Sequence, residues 1–105
     1  MFVRVSAGGS VTLEDPNNFR AFKVVVEGSP DTIDNARRAL AGLADVSDQD
    51  TAWVFDAGLR KRPEVAQDAV WQQSLGTMIE KARPHGWIDD ARQAIKAHIE
   101  WVAPA

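Results

Sequence analysis

This chain predicts an α+β fold in a single globular domain, residues 1–105, on three observations. Its first 28 residues alternate apolar and polar positions in short runs; residues 29–44 and 66–83 carry apolar stripes at helical spacing; the carboxyl-terminal segment alternates again. The order is strands, helix, strand, helix pair and a last extended segment, which is not a βαβ series. The expected architecture is an antiparallel or mixed sheet of about four to five short strands. Against it pack two longer helices, 29–44 and 66–83, and one short helix, 56–62.

Residues 2–6 and 11–14 read as a hairpin around Gly8-Gly9-Ser10. Asp15-Pro16-Asn17-Asn18 is a run of turn formers, and 19–28 is the next strand, with Phe22, Val24 and Val26 on one face. Ser29-Pro30-Asp31 marks a helix start: Ser29 as N-cap, Pro30 where its missing N–H costs nothing, Asp31 at the positive end of the dipole. Ile33, Ala36, Leu40 and Leu43 supply the stripe of that helix. Residues 45–50 form a polar connector, and 51–55, TAWVF, a strand with few polar residues, suited to the interior of a sheet. Asp56 opens the short helix and Pro63 disfavours its continuation. Trp71, Leu75, Met78, Ile79 and Ala82 then line one face of the helix 66–83, with Gly86 as a left-handed residue just past its end.

Residues 94–102 fit two templates. Ile95, Ala97, Ile99 and Trp101 alternate as in a strand, while Ala91, Ala94, Ile95, His98, Ile99 and Val102 make a helical stripe. The strand is preferred, with 87–93 as the first arm and turn of a hairpin, because Trp87 and Trp101 could then meet as a cross-strand pair. A strand, two helices and a hairpin over 51–102 also outline a winged helix.

Composition narrows the function. The net charge is −3 and the basic residues are dispersed, a poor match for nucleic acid. With no cysteine, thiolate metal sites and cysteine nucleophiles are out of reach. The two histidines, 13 residues apart, fit no zinc spacing, so neither metal nor cofactor is expected. Without an apolar run suited to a signal peptide or a membrane span, and with Met1 at the start, a complete cytoplasmic protein is expected.

His85 is accounted for by the carbonyl end of the helix 66–83. His98 and Glu100 are the candidate catalytic pair, on one face of the strand with Lys96, and Asp56 or Asp89 could add a second carboxylate. Four tryptophans are many for one small domain to hide, each needing a partner for its N–H. Trp87, Trp101 and Trp53 are therefore the candidate binding residues. The leading expectation is a non-catalytic binding protein, acting through a homodimer, a partner protein or a small apolar ligand. The alternative is a small enzyme moving a proton on an apolar or aromatic molecule through His98. A winged-helix DNA binder ranks third, disfavoured by charge.

Overall fold

In the computed structural model, which describes residues 1–104, seven strands form one mixed sheet that curls into a half-barrel. β1 (Phe2–Val5) and β2 (Val11–Glu14) make the expected hairpin. β3 (Lys23–Glu27) lies parallel to β1, and β7 (Ala94–Val102) parallel to β3. β5 (Thr51–Phe55) runs antiparallel along the other edge of β7, and β4 (Ala44–Val46) lies beyond it. The order is β2-β1-β3-β7-β5-β4, with the two-residue β6 (Ile88–Asp89) paired to the start of β7.

β7 joins two staggered half-sheets. β5 borders residues 94–98 and β3 borders 98–102, so these two strands overlap along β7 only at His98, which faces Thr51 and Lys23. An offset of about four residues at about 3.3 Å each displaces the halves by about 13 Å, the kind of shear that curls a sheet toward a barrel. β6 and β3 share one edge of β7. Between them, Lys96 and Ala97 have no strand beside them, and the Lys96 amide donates instead to the Trp87 carbonyl at 2.8 Å.

Strand alternation sorts the faces. Val3, Val5, Val24, Val26, Ala52, Val54, Ile95, Ala97 and Ile99 are buried. The opposite face of β7 carries exposed Lys96, His98 and Glu100. α1 (Ile33–Ala39), α2 (Asp56–Arg60) and α3 (Ala69–Ala82) all contribute to the apolar core. α3 buries Trp71, Leu75, Ile79 and Ala82, and Asp68 caps it by accepting the Trp71 amide at 3.0 Å. The Trp71 indole N–H donates to the Pro16 carbonyl at 2.7 Å, tying the 15–22 loop to this helix.

Both outer edges of the sheet are stopped by side chains. On β2, Arg62 donates to the Val11 carbonyl at 2.8 Å while the Glu64 carboxylate accepts the Leu13 amide at 2.7 Å. On β4, Arg37 donates to the Val46 carbonyl at 3.2 and 3.3 Å. Each occupied edge group is one fewer for an incoming strand to pair with.

The expected four to five strands are thus corrected to seven. β4 falls largely inside the acidic connector, where three residues bury only Ala44 and Val46. β6 is too short for its alternation to register. The helix expected over 29–44 is a 3-10 turn at Pro30–Thr32 followed by α1 alone. Gly42, at φ 81°, turns the chain into β4, while Leu40 and Leu43 stay in the core from a turn that keeps helical spacing. Ser29 makes no side-chain cap, and the Thr32 hydroxyl donates to the Ser29 carbonyl at 2.8 Å. The other expected helices shorten to 56–60 and 69–82. β7 spans 94–102 as the alternation predicts, but the Trp87–Trp101 pair does not form. Ile88 faces Ile95, which sets Trp87 beside Lys96, well short of Trp101. Residues 51–102 do not stand apart as a winged helix either, since β7 is the central strand of the whole sheet.

Candidate functional site

The four tryptophans occupy four different settings. Trp71 is buried, with its N–H satisfied by Pro16. Trp101 packs against the core and donates to the Gln49 carbonyl at 2.8 Å, where the β4–β5 turn covers the end of β7. Trp53 lies under the Arg92 guanidinium, 5.4 Å from the ring centre, and Arg92 is itself held by Asp45 at 2.9 Å and Asp89 at 2.7 Å. Trp87 alone is an exposed large aromatic, at 49%. Of the three candidate binding residues, Trp53, Trp87 and Trp101, Trp87 is the one that lines the groove between the 15–22 loop and α3.

That groove, of about 930 Å³, is created by the stagger of the sheet. It opens where β7 lacks a neighbour between β6 and β3, so residues of both β7 faces line it: Ile95 and Ala97 from the apolar side, Lys96 and His98 from the other. One bank is the 15–22 loop, presenting Phe19, Arg20 and Phe22. The other is α3, with half-buried Met78 and exposed Lys81, continued by His85 and Trp87. The His85 and Trp87 rings stack 4.4 Å apart and 19° from parallel. Gly86 makes that stack attainable: at φ 77° it reverses the chain after the 3-10 turn Arg83–His85 that follows α3, and brings the flanking rings together.

Sequence spacing gave no sign of this site. Phe19 and Phe22 read as part of a strand, Met78 as core, and Lys96 only as a neighbour of His98 and Glu100 on one strand face. The one available signal was the Trp surplus, which named Trp87 without its neighbours.

His98 also borders the groove, exposed on its strand. Glu100 does not orient it. Its carboxylate accepts from Lys23 Nζ at 2.5 Å, and that ammonium holds Glu100 below the usual carboxylate range. The other two carboxylates considered for His98 are likewise taken by cations, Asp56 by Arg60 and Asp89 by Arg92. The Arg92 guanidinium, with its own amide, keeps Asp89 below the ordinary value. The acid that does line the groove is Asp50, a connector residue. Among the described residues no three metal-ligating side chains converge, and no helix is long and apolar enough to cross a membrane.

No known protein family matches this chain, and no curated protein or solved structure shows significant similarity to it.

Proposed function

We propose that the protein works by binding, and that the groove beside Trp87 takes a small molecule with an apolar, ring-sized body. The observation that carries this reading is an exposed indole, pre-stacked on His85, at the bank of a groove of about 930 Å³. That volume lies within the range of about 300–1,000 Å³ common for small-ligand sites. Phe19, Phe22, Met78 and Ile95 give it apolar walls. A homodimer or partner-protein contact built on surplus tryptophans has less support, because Trp53, Trp71 and Trp101 are each covered or tied down.

Titrating the isotope-labelled protein with naphthalene-sized aromatics tests the reading. The expected result is movement of the Trp87 indole N–H resonance while that of Trp71 stays fixed. Absence of binding, or responses gathered around Trp53, contradicts it.

One observation favours the alternative proton-transfer reading: His98 borders the same groove. That reading requires a bound aromatic to be converted rather than retained, with conversion lost in His98→Gln.

A further inference from the structure

The cations of this protein are unevenly spent. Seven of the twelve lysines and arginines form ion pairs among the described residues: Arg4, Lys23, Arg37, Arg60, Arg62, Arg83 and Arg92. Of the five that do not, Arg20, Lys81 and Lys96 line the groove, and only Arg38 and Lys61 lie elsewhere. These three come from the 15–22 loop, α3 and β7, so they approach the space from three sides. The chain has fifteen acidic residues, yet Asp50 is the single one in the lining. A protein of net charge −3 therefore holds a locally basic groove with aromatic walls.

Unpaired cations gathered around a concavity favour an anion there, since a low-dielectric wall focuses their field. Here Asp56, Asp89 and Glu100, which lie on or near the same sheet, are committed to Arg60, Arg92 and Lys23. We infer that the groove selects organic anions: Arg20, Lys81 and Lys96 receive a negatively charged head while Trp87, Phe19 and Phe22 hold an apolar ring-bearing body. This rests on the groove being the ligand site, as proposed above, and adds the class of ligand. Carboxylate and phosphate heads satisfy the same three cations, and a bidentate Arg20 suits either.

The test is a titration with four probes sharing one ring system: 2-naphthoate, 2-naphthyl phosphate, neutral 2-naphthalenemethanol and cationic 2-naphthylmethylammonium. At low salt at least one of the two anions binds about tenfold tighter than the alcohol, and the cation binds weakest, as three partly screened charges acting together would give. Replacing Arg20, Lys81 and Lys96 with glutamine brings that anion to the level of the alcohol. Lys61→Gln, which removes one charge outside the groove as each single groove variant removes one inside it, leaves the preference intact. Whichever anion leads identifies the head. If the alcohol matches both anions in the unaltered protein, or Lys61→Gln erodes the preference as much as a single groove variant, the anion inference is overturned while ligand binding stands. If none of the four probes binds, the binding reading falls and the inference with it.

Discussion

The indole of Trp87 rests on the imidazole of His85, ring centres 4.4 Å apart, with only Gly86 between them in sequence. Both side chains are exposed, so core burial does not hold the stack. It forms because Gly86 adopts a left-handed turn that other residues resist. His85→Ala is expected to leave stability within about 0.5 kcal/mol while weakening 2-naphthoate binding about threefold, as loss of one aromatic contact implies. Calorimetric titration and a thermal melt on the same sample check both.

Removing an edge stop should change association more than folding. Arg62→Ala leaves the Val11 carbonyl and the Glu64 carboxylate short of a partner. The expected cost is about 1 kcal/mol for a partly exposed charged hydrogen bond. The bared edge of β2 then favours strand addition. Sedimentation is expected to show a concentration-dependent rise in mass for the variant that the unaltered protein lacks.

Glu64 gives that edge an acid dependence. Burial alone would raise its carboxyl, but the Arg62 guanidinium and the Leu13 amide outweigh burial and set its pKa below the ordinary value. A folded pKa depressed below the unfolded one adds stability above the unfolded value, and this is lost as pH falls through the folded value. From about pH 5 to about pH 3, the melting temperature should fall more steeply for the unaltered protein than for Glu64→Gln. Parallel slopes would refute this.

Gly58 tests the packing of α2 against the β4 turn. An added Cβ would lie 3.0 Å from the Gly42 carbonyl oxygen and 3.2 Å from Leu43 Cδ1. Leu43 cannot readily retreat, because its carbonyl accepts the Phe55 amide at 2.8 Å. Helix propensity favours alanine by about 0.5–1 kcal/mol, whereas overpacking costs about 1–3 kcal/mol. Gly58→Ala should therefore lower the melting temperature, by about 5 °C for a net loss near 1 kcal/mol.

What could be read from the sequence divides along physical lines. β7 was legible only in part: Ile95, Ala97 and Ile99 alternate on one buried face, but the segment fits a helical stripe as well, and the Trp87–Trp101 pair that favoured the strand does not form. α3 was legible because a long helix with one covered face repeats its apolar spacing. β4 was not, since three residues at a sheet edge carry no period, and Leu40 and Leu43 mimic a helix through a glycine turn. The groove was the least visible feature. Arg20, Lys81 and Lys96 are far apart in the chain, and only the stagger at His98 opens the space they share.

The affinity of Trp87→Ala for 2-naphthoate, measured by titration calorimetry beside the unaltered protein, tests the binding account most directly. Loss of an indole wall should weaken binding by about tenfold or more, and because Trp87 is 49% exposed the melting temperature should barely move. Unchanged affinity in a folded Trp87→Ala protein would contradict the account.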